Sequence, residues 1–345
     1  MAMTANEQRQ AFYDRIAGSN LTPLWEVFAD LISAQPESRA RPALWRYDDI
    51  RPFILESGGL ISAKEAVRRV LILENPGLPG QSRITNTLYA GLQLILPGEV
   101  APAHRHSQSA LRFIVEGHGA YTAVEGEKTV MQPGDFVITP SWTWHDHGNE
   151  SAEPMVWLDG LDIPIVGFFE ASFAEDLDQD SQPLSRPTGD AQARYGAGLL
   201  PMGYERSAPT SPVFNYPYER TREALEKMRR TEEWDPCHGL KMRYVNPVTG
   251  DYAMPTMATF MQLLPTGLAT APYRSTDGMV YSVVEGRGRS HVGDEILEWG
   301  PRDTFVIPSW QRHRHEVDAD AVLFSFSDRP IQEKLGLWRE DRGNH

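Results

Sequence analysis

The sequence holds a single cysteine, Cys237, in 345 residues. No disulfide can form within the chain, so stability has to come from a packed core, and a reducing compartment suits it. Long hydrophobic runs are missing too. Nothing approaches the roughly 18 consecutive apolar residues of a membrane span. The opening stretch, MAMTANEQRQAFYDRIAG, is polar and lacks the apolar centre of a signal peptide. The cytoplasm is the expected location. Basic blocks are also absent. Lys and Arg number 33 against 47 Asp and Glu, a formal net charge of −14. A polyanion would be repelled, so neither nucleic acid nor membrane is expected as a partner.

What the chain does have is Pro (26), Gly (28) and 41% hydrophobic residues. That combination favours many short strands and turns around a sizeable core over a helical bundle. Helices are expected at the start. Phe12, Ile16, Leu24, Val27, Phe28, Leu31 and Ile32 recur at helical spacing over 6–35, with a break at GSNLTP. In 41–58 the prolines limit any helix to short turns. From about 67 to 170, segments such as VRRVLILENP and TLYAGLQLILPG read as strands. Residues 171–217 are polar, acidic and Pro-bearing and read as surface loop or partial disorder. A helix is expected over 218–234, and strands return from about 240 to 328. The domain reading is a helical segment at 1–64, a first β domain at 65–170, a linker with a helix at 171–238, a second β domain at 239–330 and a tail at 331–345.

The two β domains are copies. Gly98, His104, His106, Ala110, VEG at 115–117, Asp135, PSW at 140–142, His145 and His147 recur as Gly267, Tyr273, Ser275, Met279, VEG at 284–286, Asp303, PSW at 308–310, His313 and His315. The offset is 169 early and 168 late, so one residue is lost in the middle.

Four of the ten histidines lie within 44 residues, as His104-x-His106 and His145-x-His147. On a strand, residues i and i+2 share a face, so each pair presents two imidazoles to one side. One such pair is weak evidence; two at matching distance are stronger. Neutral imidazole suits Fe, Zn, Cu and Ni. In the second copy Tyr273 and Ser275 replace the first pair, which makes a poor metal site. His313 and His315 read there as hydrogen-bonded or interface side chains. His118, His238, His291 and His345 show no partner pattern and read as surface residues, and Cys237 needs no role.

These blocks resemble the two cupin motifs. Gly98, His104, His106, Ala110 and Gly117 match the first, with Ala110 where a Glu ligand is usual. Gly134, Pro140, Trp142, His145 and Asn149 match the second, with Trp142 where a Gly is usual. The fold so implied is mainly β: a bicupin of two β-sandwich or jelly-roll barrels, with an N-terminal helical segment and a helical linker. The lost Glu implies a three-histidine site of His104, His106 and His145, leaving positions open for a chelating substrate and dioxygen.

The wider wording, including AGLQLILPGEVAPAHRHSQSALRFIVEG, PSWTWHDHGN, WLDGLD and GLKMRYVNPVTG, resembles the gentisate 1,2-dioxygenase family over nearly the whole chain. That resemblance implies one Fe(II) per subunit in the N-terminal cupin, a metal-free C-terminal cupin and a homotetramer. It also implies conversion of gentisate (2,5-dihydroxybenzoate) and O2 to maleylpyruvate. Arg112 would meet the substrate carboxylate, with Arg68 a further candidate that cannot be separated from Arg69 by sequence. His147 would act on the substrate hydroxyl. Tyr89, Gly91 and Gln93 would line the site, with Gly91 leaving room, and Asp159 would orient a neighbour. Trp142 and Trp144 read as packing. Salicylate or 1-hydroxy-2-naphthoate cleavage is the alternative within the family. A bicupin storage protein has no need of an intact triad, and cupin isomerases using Zn or Mn keep the Glu.

Overall fold

The computed structural model describes residues 3–205, 209–230 and 233–343. The chain divides into two compact units, Met1–Glu37 and Ser38–His345. In the first, helices form at Ala5–Ala17 and Leu24–Leu31, as the spacing predicts. Thr4 caps the first helix in a reciprocal box: its Oγ1 accepts from Glu7 N–H, and the Glu7 carboxylate accepts from Thr4 N–H. Trp25 Nε1 donates to Tyr13 Oη at 2.8 Å. No residue of either helix is buried, and Leu24, Trp25, Phe28 and Leu31 are exposed.

The second unit carries two β-sandwiches related by the repeat. In the N-terminal one, a six-stranded sheet runs in the spatial order Asn215–Tyr216, Phe136–Thr139, Ala110–Glu116, Met155–Leu161, Tyr89–Ile95, Val70–Ile72. It faces a five-stranded sheet ordered Ala174–Asp176, Val100–His106, His145–Asn149, Ala120–Val124, Glu127–Val130. The C-terminal copy repeats the six-stranded sheet as Ala43–Trp45, Thr304–Ile307, Met279–Glu285, Ala321–Ser327, Ala258–Leu264, Leu240–Arg243. The expected copies and their 169 and 168 offsets are therefore a repeat of strands.

The two six-stranded sheets pack back to back. Side chains alternate across each strand, so Leu92, Leu111, Phe113 and Leu158 point away from the histidines and into a core shared with Val280, Phe324 and Phe326. Phe113 stacks on Phe324 with centroids 4.2 Å apart, which adds about 1 kcal/mol beyond burial. Gly160 is needed for the close approach: a Cβ there would lie 2.8 Å from the Phe326 ring.

Each sheet gains an edge from the segment that leads into the other copy. Ala43–Trp45 pairs with Thr304–Val306 of the C-terminal sheet, and Asn215–Tyr216 pairs with Phe136–Val137 of the N-terminal one. A helix follows each edge strand. Tyr47 N–H opens one helix by donating to Asp303, and Tyr218 N–H opens the other by donating to Asp135. The repeat thus extends further than the sequence landmarks reveal.

The expectation of short turns in 41–58 fails, because a helix spans Tyr47–Leu60 with Pro52 inside it. Pro52 removes one early backbone bond. Packing outweighs that loss: Tyr47 and Ile54 are buried and Arg51 grips Glu116 with two nitrogens. The strand reading of 67–170 holds in outline, apart from a connection at 73–88 and a short helix at Ile163–Phe168. The helix at Tyr218–Arg229 forms; Thr231 and Glu232 lie outside the described residues. Residues 171–217 are not simply loop. Ala174–Asp176 pairs with His104–His106, and buried Gln182 donates to Ala123 and Trp144 carbonyls. Polar composition hid this segment because its bonds are backbone bonds to a strand edge. Among the described residues no helix is long and apolar enough to cross a membrane.

Candidate metal centre

His104 and His145 are register partners on adjacent antiparallel strands. Partners face the same way, and His106 sits two residues on. The three ring centroids lie 4.6–5.2 Å apart, and one nitrogen from each ring falls within 4.8 Å of the others. No carboxylate joins this group among the described residues. Ala110, at the usual Glu position, is buried.

The donor set fits a transition metal. His106 Nδ1 lies 2.8 Å from Gln108 O, and His145 Nδ1 lies 3.0 Å from Thr143 O. A carbonyl only accepts, so each Nδ1 carries the hydrogen and each Nε2 keeps its lone pair. His145 Nε2 is buried with no protein partner. Burial, then the Arg68 guanidinium, holds His104 down to about 2. Burial, aided by Arg112 and Arg68 and opposed by the Gln108 carbonyl, lowers His106 to about 4. His145 lies well below the usual imidazole range for the same reasons as His104. All three are neutral ligands at neutral pH.

Trp142 shows how the second motif tolerates the loss of its Gly. It has φ 60°, a left-handed conformation that costs a non-glycine residue about 1 kcal/mol. Its N–H donates to His106 O at 2.7 Å. Arg105 points away from the metal side, salt-bridges Glu175, and lies 4.6 Å from the ring centroids of both Trp142 and Trp144. Trp310 repeats the turn at φ 61°, with Arg274 over its ring. Trp142 is exposed and Trp144 half-buried, and each packs against the Arg105 guanidinium.

The six-stranded sheet supplies the opposite wall. Arg112, Asp159 and Gly91 are register partners in one row, and Gln93 and Trp157 lie in another row of the same face. Arg112 is 3% exposed; it donates to Thr139 Oγ1, and its Nε faces Asp159 Oδ1 at 3.6 Å, an ion-pair contact too long for a hydrogen bond. Asp159 accepts from Trp157 Nε1 at 3.0 Å, and burial raises its carboxyl to about 6 against the pull of Arg112 and Arg68.

Gly91 does not leave open space. A Cβ there would lie 2.4 Å from Val70 Cγ1 and 3.1 Å from Tyr89 Oη. The missing side chain lets those two groups close in. Burial, then Asp159, raises the Tyr89 phenol above its usual range.

Arg68 and Arg69 separate cleanly. Arg69 turns outward from the site to a buried ion pair with Glu99 and to the Ile61 and Leu94 carbonyls. Arg68 donates to Pro102 O, on the strand that carries His104, and its Nη2 is buried without a partner. Burial, then Arg112, lowers its guanidinium to about 9, still a cation at neutral pH. Val67 makes the separation possible. It has φ 57° and ψ −50°, and Arg68 N–H donates back to Ala66 O across it. That is a γ-turn with positive φ, rare for a β-branched residue and invisible to side-chain alternation.

His147 shares the face of His145 and is fully buried. Its Nδ1 lies 2.9 Å from Thr122 Oγ1, and the Thr122 hydroxyl donates to Met131 Sδ at 3.2 Å. One hydroxyl has one proton. With that proton on sulfur, Oγ1 accepts from His147 Nδ1–H, and Nε2 is left bare. His147 Nε2 is another buried atom without a partner. Burial, then Arg112, keeps this ring well below the imidazole range. Thr122, Thr139 and Val67 escaped the sequence reading, since cross-strand register and backbone dihedrals leave no mark on composition.

In the C-terminal copy the Tyr273 hydroxyl bonds Glu340, and Tyr281 and Phe260 stand where Arg112 and Gly91 stand in the first. His313 Nδ1 bonds Gln311 O and His315 Nδ1 bonds Ser290 Oγ, so both are the hydrogen-bonded side chains expected. His238 is not a surface residue: it is half-buried against Tyr273, centroids 4.5 Å apart. His291 is half-buried beside Glu316. His118 is exposed as expected, and His345 lies outside the described residues. Cys237 is free and buried. A surface groove of about 1030 Å³, lined by Arg46, Arg287, Arg302 and Glu298 among others, includes none of the histidines.

Two sandwiches with a histidine triad in the first define a bicupin, and the cupin domain family matches residues 91–161. The chain is 58% identical to "Gentisate 1,2 dioxygenase 1" of Aquipseudomonas alcaligenes over 336 residues, 97% of each chain. It is 38% identical to a gentisate 1,2-dioxygenase of a Streptomyces species over the full length of both. Among solved structures, salicylate 1,2-dioxygenase from Pseudoaminobacter salicylatoxidans in adducts with gentisate matches with TM-score 0.93 and 33% identity, covering 100% of this chain and 96% of that one. The chain belongs to the gentisate 1,2-dioxygenase family of ring-cleaving dioxygenases, and its histidine triad is a metal-binding group.

Proposed function

We propose that the protein is an Fe(II)-dependent gentisate 1,2-dioxygenase, adding both atoms of O2 to 2,5-dihydroxybenzoate to give maleylpyruvate. The observation that carries this reading is the triad of neutral imidazoles with no carboxylate among the described residues, beside the buried guanidiniums of Arg112 and Arg68, the latter with its Nη2 unpartnered. Ferrous iron on His104, His106 and His145 supplies a Lewis acid, an electron conduit and coordination positions for the carboxylate, the adjacent hydroxyl and dioxygen.

The rest is the work of the protein. Arg112 and Arg68 bind the substrate carboxylate, whose fork they match. Asp159 holds Arg112 in orientation through their 3.6 Å contact. His147 Nε2 accepts a ring hydroxyl proton, its tautomer fixed by Thr122. Gln93 and Tyr89 flank the ring, and Gly91 lets the Tyr89 hydroxyl and Val70 approach it. In this reading the C-terminal cupin carries no iron, because Tyr273 and Ser275 replace two ligands. The protein works in the cytoplasm, in keeping with its free Cys237. It assembles as a homotetramer, for which the exposed apolar face of Leu24–Leu31 offers a surface.

Oxygen uptake by iron-loaded protein, with gentisate and salicylate compared, tests the activity. Uptake with gentisate and the appearance of maleylpyruvate absorbance are expected. No uptake with gentisate would remove the proposal, and faster turnover of salicylate would redirect it to the alternative substrate. Sedimentation velocity tests the assembly, with a tetramer expected and a monomer against it.

A further inference from the structure

The C-terminal cupin keeps an interior pocket of about 150 Å³ at the place equivalent to the metal side of its partner. Its chemistry differs. Lys241 pairs in register with Gln262, as Val70 pairs with Gln93 in the first copy, so a half-buried lysine stands where the N-terminal cupin has a half-buried valine. The Lys241 ammonium has no carboxylate within ion-pair distance among the described residues. Its one hydrogen-bond partner is the weak acceptor Met279 Sδ at 3.3 Å. It lies 4.7 Å from the Phe260 ring centroid and 5.7 Å from that of Tyr281. Asp277, 4% exposed, lines the same pocket. Its Oδ1 accepts from Trp338 Nε1, while its Oδ2 is buried with no partner. Two other cations line the pocket: Arg329 is paired with Glu333, and Arg243 donates to Gly250 O and lies over the Tyr252 ring.

We propose that this pocket is a second, metal-free binding site for a small hydroxy-carboxylate, its carboxylate on Lys241 and its hydroxyl donating to Asp277. An unpaired ammonium calls for an anion, and an unpaired carboxylate oxygen calls for a donor. One ligand carrying both groups satisfies both residues; a bare anion leaves Asp277 unsatisfied. Size sets the class. At about 30 Å³ per water, the pocket holds the volume of roughly five waters. A two- or three-carbon hydroxy acid fits that space with both groups in reach. Burial lowers the Lys241 ammonium to about 8, with Asp277 as the main charge acting against it.

The chain has five lysines, so protein labelled with ¹³C at lysine Cε gives few resonances. Lys241→Met identifies the one from the pocket. Titration with glycolate to about 20 mM would nearly saturate a site with Kd near 1 mM. A saturable shift confined to the Lys241 resonance is expected, with acetate binding about tenfold more weakly and Asp277→Asn weakening glycolate by about the same factor. An unmoved Lys241 resonance, or one that answers acetate and glycolate equally, overturns the proposal. The experiment needs neither iron nor turnover, so its failure is distinct from failure of the dioxygenase reading.

Discussion

Replacing Thr122 with Val isolates the part of the site that sets the proton on His147. Valine keeps the shape and removes one oxygen. In the tautomer the proposed mechanism needs, that oxygen accepts from Nδ1–H while its own O–H points at Met131 sulfur, which leaves the buried Nε2 bare. Without it, the buried Nδ1–H has no partner, an arrangement that costs about 1–3 kcal/mol. The ring relieves that by turning or by exchanging tautomers, and either change removes the acceptor at Nε2. A loss of about 1–2 kcal/mol at the transition state corresponds to a roughly 5- to 30-fold fall in kcat. Thr122 bonds His147 and Met131, whereas His106 and His145 are held by the Gln108 and Thr143 carbonyls, so iron content and KM for gentisate are expected to stay near wild type. Thr122→Ser restores the oxygen and most of the rate. Steady-state oxygen uptake with parallel iron analysis measures all of this. Wild-type kcat in Thr122→Val, or a drop that tracks lost iron, would refute the tautomer argument.

Other outcomes follow from the same geometry. Arg112→Gln removes a charge-assisted contact worth about 2–3 kcal/mol, so kcat/KM for gentisate falls roughly 30- to 150-fold with iron retained; an unchanged ratio speaks against the carboxylate contact. Arg68→Met and Arg69→Met should diverge. The first weakens gentisate binding, whereas the second breaks a pair that is 2% and 20% exposed and lowers unfolding free energy by about 2–4 kcal/mol, read by urea titration. In metal-free protein, His104, His106, His145 and His147 are held neutral, with folded pKa values below the unfolded value near 6.5. Their contribution is present above about pH 6.5 and is lost as pH falls toward about 4 and below, by about 1.4 kcal/mol per ring at pH 5.5 at most. A urea midpoint indifferent to pH over that interval would contradict the burial.

The repeat and the triad were legible because turns and ligands occupy fixed places in each copy. Two-residue spacing put four histidines on two strand faces, and the resemblance to the cupin motifs singled out His104, His106 and His145. Four features could not. Pro52 sits within a helix because Tyr47, Ile54 and Arg51 anchor both sides of it. Ala174–Asp176 is acidic, yet it holds the His104 strand through backbone bonds. Arg68 faces the site because of a γ-turn at Val67 that no residue pattern announces. Gly91 looks like a gap in sequence and is filled in space by Val70 and Tyr89.

X-ray absorption at the iron K-edge of the anaerobic protein tests the central claim most directly. The account predicts one iron with three imidazoles and otherwise exchangeable light-atom ligands, which change when gentisate is added while the imidazole signal stays. A protein carboxylate bound to iron, or fewer than three imidazoles, would contradict it.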